Sequence, residues 1–375
     1  MTAAAIAEPA YQVRDLETLL SPSLVIFADR LRRNLDAMIR LAGGPDRLRP
    51  HMKTHKMPAV IRLLEGLGIA RHKCATIAEA EMAAQVGATE VLLAYPVVGP
   101  NLARLSRLVA TYPKTTFRAT VDHPRSAQLL ADAMAASDRP LPTLIDLDVG
   151  MGRTGVDPAN AAGLAMVVAR LPALAFDGLQ AYDGHVRDAD PAARRQAAEV
   201  GIAHVAMVRD QLIAAGLPVN RLVLGGTPTF PIHAGVDLPG VECSPGTSVF
   251  HDAGYAAKFP DLPFEPAALL LTRVVSRPRP GRACLDLGHK AVAADPVGPR
   301  LTLVDHPDAS VISQSEEHLV VEGSSLANLA PGDPLWAIPT HVCPTCALYS
   351  WAYVVDGGVV VDRWRVEARD RVLGV

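Results

Sequence analysis

The sequence predicts an α/β protein in which a (β/α)8 barrel is followed by a separate all-β domain. Three observations carry that expectation. Between about residues 48 and 246, eight short apolar runs alternate with stretches of helical period, the pattern of βα units around a parallel sheet. After Pro266 the texture changes to short alternating strands separated by Gly/Pro turns. The chain has 375 residues, 49% of them apolar, enough for two or three folded units that each bury a core.

The first apolar run, 23–28, precedes the barrel count, so residues 1–28 are expected to join the β-domain. The eight barrel strands are expected at 48–52, 70–75, 91–95, 116–121, 143–149, 176–182, 221–225 and 241–244. Between them, Val60, Leu63, Leu64 and Leu67 fall at i, i+3, i+4 and i+7 and form one apolar helical stripe. Another helix is expected to start at Asp157-Pro158, a capping residue followed by proline at the first helical position. An open doubly wound sheet is the alternative arrangement of the same units. In the β-domain, strands are expected at 269–276, 283–287, 300–304, 319–322 and 334–338. A final pair, 352–355 and 359–364, flanks the hairpin signal Asp356-Gly357-Gly358. The expected domains are therefore a barrel at 29–264 and a β-domain of 1–28 plus 265–375.

Lys plus Arg total 36 against 39 Asp plus Glu, a net charge of −3. No basic excess exists to neutralise a nucleic acid or an anionic bilayer, so neither is an expected partner. The start, MTAAAIAEPAYQVRD, lacks a basic segment followed by an apolar one, and no apolar run approaches the roughly 18 residues a membrane span needs. A soluble cytoplasmic protein is expected. Five cysteines, an odd number in a long chain, do not describe a disulfide framework.

Arg49-Pro50-His51-Met52-Lys53-Thr54-His55-Lys56 ends the first barrel strand, at the edge where barrel enzymes keep their sites. A lysine on a strand end among cationic neighbours has its ammonium form disfavoured, which is what an amine nucleophile requires. Lys53 is the candidate nucleophile, with His51 on the same face by the two-residue period and Met52 on the other. The same residues also fit an exposed basic loop.

Asp148 to Gly155 contains the literal G-x-G-x-x-G, with Asp177 further on, so a dinucleotide site has to be weighed. Two features count against it: the helix starts only at Asp157-Pro158, after the third glycine, and Arg153 occupies the loop interior. Arg153 reads instead as a cation presented at a strand end, or as the partner of a nearby carboxylate. Gly225-Gly226-Thr227 follows the seventh strand and Gly246-Thr247 the eighth. Small residues let backbone amides approach an anion, so the two loops resemble a phosphate cradle.

Tyr182 and His185 end strand six. They suit a ring that lies on a cofactor and a group that exchanges protons near neutral pH, or equally a core tyrosine and a surface histidine. On an extended segment His341 and Cys343 point to one side and suit a divalent metal; a pair of buried, inert cysteines, Cys343 and Cys346, reads the same residues otherwise. Cys343 and Cys346 also spell C-x-x-C, without the helix beside a βαβ unit that redox chemistry of that motif requires.

Together these segments resemble the fold-type III pyridoxal-phosphate enzymes, specifically the D-threonine aldolase and D-serine dehydratase family. The likeness runs through nearly the whole chain in order: RPHMKTHK, IDLDVGMGRTGV, GLQAYDGH, LVLGGTPTF, SPGTSVFHD, SEEHLVVEG and THVCPT. It implies an alanine racemase-like barrel with pyridoxal 5′-phosphate bound covalently to Lys53. Gly225, Gly226, Thr227, Gly246 and Thr247 would hold the phosphate, with His51, Tyr182 and Arg153 around the ring. It implies further that His341 and Cys343 hold a divalent metal (Zn, Mn or Mg) near the β-hydroxyl of a D-amino acid substrate.

The implied reaction is retro-aldol cleavage to glycine and an aldehyde with His185 as base. The alternative is dehydration of D-serine or 3-hydroxy-D-aspartate to a keto acid and ammonia with Lys53 as base. Alanine racemases carry an arginine before the last Pro-Gly where this chain has Ser244, which argues against a racemase. The dehydratases resemble this chain in His-x-Cys, where aldolases often have His-x-Asp. A non-catalytic pyridoxal-phosphate carrier of this fold type lacks a β-domain, which the stretch after Pro266 argues against. The resemblance also implies a homodimer.

Overall fold

The structure, a computed structural model, describes residues 11–375. The chain forms two compact units. One comprises the stretch ending at Arg33 with Phe250–Ala257 and Phe264–Val366; the other comprises Asn34–Val249, Lys258–Pro263 and Glu367–Val375. These bounds interleave more than single cuts after residues 28 and 264 would give. Arg30 and Arg33 both pair with Glu265, which draws the start of helix Ala28–Ala42 to the first unit. Buried Glu81 accepts the amides of Gly374 (3.0 Å) and Val375 (3.2 Å), which draws the C-terminus to the second. Of the 1–28 segment assigned to the β-domain, residues 1–10 lie outside the described residues.

The first unit contains β1 (Ser23–Phe27). The second carries a parallel half-barrel of seven strands in chain order: β2 (Arg71–Cys74), β3 (Glu90–Leu93), β4 (Thr116–Val121), β5 (Leu141–Leu147), β6 (Leu174–Ala181), β7 (Arg221–Leu224) and β8 (Val241–Cys243). The expected first strand, 48–52, is not one. Leu48 bridges Cys243 and His51 bridges Lys73, both in parallel sense, but no ladder forms. Pro50 has no N–H to donate, and the chain enters a 3₁₀ turn, Met52–Thr54, at once. Three backbone hydrogen bonds remain: Arg49 N–H to Cys243 (2.8 Å), His51 N–H to Pro245 (2.9 Å) and Lys73 N–H to Pro50 (2.9 Å).

Strand alternation sorts the parallel strands into two faces. His72 faces outward and meets Glu65 of helix Pro58–Gly66 at 2.9 Å. On the inner face Leu92, Leu144 and Val223 pack as one apolar layer from alternate strands. Next to it the inner face is ionic. Arg49 pairs with Glu242 and Glu90, Arg118 with Glu90 and Asp177, Arg221 with Asp177, Glu242 and Glu90, and Arg71 with Glu90 and Glu242. Arg49 is fully buried and Glu242 is 3% exposed.

The remaining strands belong to the first unit: β9 (Ala268–Arg279), β10 (Arg282–Leu285), β11 (Leu301–Leu303), β12 (Ser310–Gln314), β13 (Leu319–Glu322), β14 (Pro334–Pro339), β15 (Trp351–Asp356) and β16 (Val359–Arg365). They order as β12-β13-β10-β9-β1-β15-β16, with β14 pairing β9 and β11. As expected, β1 joins this sheet, parallel to β15 and antiparallel to β9. Val25, Phe27, Leu269, Leu271, Trp336 and Val355 form its core, with Tyr11 and Trp336 edge-on to Phe27 at 4.9 and 5.4 Å. Gly357 and Gly358 both have positive φ, the requirement of the two-residue hairpin turn. β12 was not expected, because it is mostly exposed and shows no polar/apolar alternation. No helix among the described residues is long and apolar enough to cross a membrane.

The ionic inner face predicts a large, pH-dependent effect at one position. Burial pushes the Glu242 carboxyl up, but the charges of Arg49, Arg221 and Arg71 outweigh it and hold the group below its ordinary 4.5. Its stabilisation is complete above 4.5 and disappears as pH falls through the lower folded value. Glu242→Gln, which leaves fully buried Arg49 and the partly exposed Arg221 and Arg71 short of charge, is expected to lose about 3 to 5 kcal/mol in denaturant titration at neutral pH. That gap should shrink in acid. A deficit that does not depend on pH would contradict the assignment.

Candidate active site

Lys53 sits in the 3₁₀ turn, so the expected two-residue alternation of His51 and Lys53 does not hold. His51 caps the turn instead, its Nδ1 accepting the Lys53 N–H at 3.3 Å. That bond needs an unprotonated nitrogen. Burial, followed by the charges of Lys53, Lys73 and Lys56, pushes the His51 imidazole well below its ordinary value and keeps it neutral.

The half-buried ring of Tyr182 collects the cations. Lys53 Nζ lies 5.5 Å from the ring centroid, Arg153 Cζ 5.1 Å and Lys73 Nζ 6.0 Å. Two glycines fix the ring: a Cβ on Gly184 would collide with its edge, and one on Gly226 would lie 2.9 Å from Cε2. Arg153 reaches it from the exposed loop after β5. Asp148 Oδ1 shapes that loop by accepting the amides of Gly150 (2.9 Å) and Gly152 (3.0 Å). Helix Pro158–Ala169 begins after the loop, with Asp157 capping the Ala159 amide at 2.8 Å. The glycines thus fold the loop and do not open the helix, which is what a dinucleotide site would need.

The loops after β7 and β8 meet through one hydroxyl. Thr227 Oγ1 accepts the Gly246 amide at 3.1 Å and the Ser248 amide at 3.3 Å. A Cβ on Gly246 would come within 3.2 Å of Thr54 Oγ1 and 3.3 Å of the His51 backbone, so this loop packs on the turn that carries Lys53. Gly225 takes a left-handed φ of 68°, with His233 and Thr229 where a side chain would stand. Ser248 Oγ is buried and has no hydrogen-bond partner. The Ser244 hydroxyl donates to the Arg49 carbonyl at 3.1 Å.

The structure therefore brings together Lys53, His51, Tyr182, Arg153, Gly226, Thr227 and Gly246. His185 is exposed, its ring against Gly150 in the loop that also carries Arg153, and it lines a groove with Asp148, Asp157, His204 and Met207. Several residues escaped the sequence reading. Buried Asp183 accepts from Thr229 Oγ1 (2.9 Å) and lies 2.7 Å from His233 Nε2, tying the β7 loop to the end of β6. Lys73 was also missed, though Arg71 and Lys73 spaced by two in a buried strand were the available signal.

In the other unit His341 and Cys343 are not on an extended segment. His341 stands at the N-cap position of a helical turn, Val342–Cys346, without a side-chain cap, so C-x-x-C does open a helix, although within the β unit. His341 Nδ1 lies 2.6 Å from Asp295 Oδ2. Burial opposes its charge, but Cys343 and Asp295 outweigh burial and lift the imidazole to about 9. Asp252 accepts the Val342 amide at 3.1 Å, and burial pushes its carboxyl up to about 6. Among the described residues no group of three or more His, Cys, Asp or Glu side chains is arranged to hold a metal ion.

Thr227→Val, which keeps the shape and removes the acceptor for two buried amides, is expected to lose about 1 to 3 kcal/mol per amide left unsatisfied. Thr227→Ser should stay near wild type. Thermal melts compare them, and equal losses in both would show that the hydroxyl does not join the loops.

Comparison with known proteins identifies the family. Residues 26–253 match the alanine racemase N-terminal domain, and residues 267–355 match a putative serine dehydratase domain. A D-threonine aldolase from Arthrobacter sp. is 32% identical over 97% of each chain. A D-threo-3-hydroxyaspartate dehydratase from Delftia sp. is 28% identical over 92% of this chain and 97% of its own. The crystal structure of D-threonine aldolase from Filomicrobium marinum superposes with a TM-score of 0.87 at 32% identity, covering 96% of this chain and 99% of that one. The chain belongs to the fold-type III pyridoxal-phosphate family of D-threonine aldolases and D-serine dehydratases.

Proposed function

We propose that this chain is a pyridoxal-phosphate lyase that cleaves β-hydroxy-D-amino acids of the D-threonine type to glycine and an aldehyde. The observation that carries the reading is the placement of the Lys53 amine against Tyr182, beside two loops joined by Thr227. The residues fit the cofactor. The buried Ser248 hydroxyl lacks a hydrogen-bond partner, in a loop whose Gly246 and Ser248 amides are gathered by the Thr227 hydroxyl and whose Gly246 packs against the turn that carries Lys53. We also infer that segment 48–51, through its isolated bridges to Cys243 and Lys73, takes the place of an eighth strand and closes the half-barrel, and that 29–264 is the cofactor domain, with 265–375 and 1–28 as the β-domain.

In this reading Lys53 holds the cofactor covalently. Gly225, Gly226, Thr227, Gly246 and Thr247 bind its phosphate, and His51, Tyr182 and Arg153 orient its ring. When bound, pyridoxal phosphate withdraws electrons from the α-carbon of an attached amino acid. Neutral His51 keeps the Lys53 turn in place without adding charge. His185 takes the proton of the substrate β-hydroxyl as the Cα–Cβ bond breaks. His341 and Cys343 would hold the divalent ion, which supplies Lewis-acid polarisation of a hydroxyl oxygen. Asp295 orients His341 through its other ring nitrogen, as carboxylates do for metal-bound histidines. Cys343 is the observation that favours the second reading, dehydration to a keto acid and ammonia with Lys53 removing the α-proton. A homodimer and a cytoplasmic location complete the proposal.

Purified protein given the cofactor should convert D-threonine to glycine and acetaldehyde, and a chelator should stop it. Pyruvate and ammonia from D-serine would instead select the dehydratase. No product from any β-hydroxy-D-amino acid would end both readings. Borohydride reduction with peptide mapping should tag Lys53. His185→Gln should lower kcat by about 10²-fold or more if it is the base.

A further inference from the structure

Lys73 is a buried lysine that the proposed mechanism leaves unused. It is 3% exposed on β2 and shares the inner face with Arg71. Its Nζ stands almost as near the Tyr182 ring as that of Lys53, 6.0 against 5.5 Å, with Arg153 at 5.1 Å. The charged groups that face it are Lys53 and Arg49 from the segment before β2, Asp146 from β5 and Asp183 from the end of β6. Both carboxylates are already engaged: Asp146 by Thr154 (3.0 Å) and Gln180 (2.8 Å), Asp183 by Thr229 and His233. His51 beside it is neutral. Burial, and after it the charge of Lys53, lowers the Lys73 amine to about 7. Burial and a neighbouring cation both disfavour the charged form of Lys73.

We propose that Lys73 is a positioning residue, the counter-cation of this site: it carries a proton once the cofactor is attached at Lys53, and its charge sets the proton affinity of the nitrogen at Lys53. The inference rests on the cofactor reading above. Attachment joins the Lys53 amine to an aldehyde carbonyl as C=N and releases one water. It also removes the competing ammonium and brings in an anionic phosphate and ring oxygen. Each of these changes favours a proton on Lys73, taken from solvent.

The test is the absorbance of the cofactor-loaded protein against pH, which reports where the nitrogen at Lys53 loses its proton. Without a neighbouring cation that nitrogen keeps its proton to higher pH. Lys73→Met should therefore move the midpoint up by about one pH unit, the size expected for a unit charge within about 10 Å at an effective dielectric of roughly 20. Lys73→Arg should hold the wild-type midpoint, and Lys73→Gln replaces Met if that variant does not fold. A Met or Gln variant with the wild-type midpoint overturns the proposal, as does an Arg variant that shifts as far as they do. Wild-type protein with no cofactor absorbance linked to Lys53 would overturn the cofactor reading instead.

Discussion

The parallel half-barrel depends on how its inner face disposes of charge. Arg49, Arg71, Arg118 and Arg221 meet only three carboxylates, Glu90, Asp177 and Glu242, and each carboxylate is shared between at least two arginines. Burying such groups is unfavourable unless every one is paired, so the arrangement tolerates little displacement. A one-residue slip of any strand would turn its charge outward and leave its partners buried alone. The network therefore ties the registers of β2, β3, β4, β6, β7 and β8 to one another and to the segment that leads into Lys53.

The site repeats the same economy at smaller scale. Few of its side chains have one task. Thr227 joins two loops through a single oxygen, and His51 caps a turn while remaining uncharged. Tyr182 is held by the absence of side chains at Gly184 and Gly226. Two amines and a guanidinium then lie within 6.0 Å of the ring centroid, a concentration that suits an anionic ligand.

Much of this was legible in order along the chain. Strand β4 and strand β13 fall at the expected residues, and the Asp157-Pro158 start and the Gly357-Gly358 turn are where local chemistry places them. Two expectations failed for local reasons of their own. Segment 48–52 reads as a strand by its neighbours, but Pro50 interrupts the ladder. His341-Val342-Cys343 reads as extended, yet it turns into a helix directly after His341. β12 stayed hidden because an exposed strand carries no alternation to read.

Periodicity, turn residues and small-residue loops by themselves determined the order of strands β2 to β8 with their helices, the segment that carries Lys53, and the loops after β7 and β8. Those signals span a few residues and depend on backbone geometry alone. The pairing of Arg49 with Glu242, the stitching of Gly246 to Thr227, the setting of His185 against Gly150 and the inward lysine at 73 were decided only by tertiary structure. Each joins residues distant in the chain, and such contacts exist only after register and curvature have selected which side chains share one enclosed face.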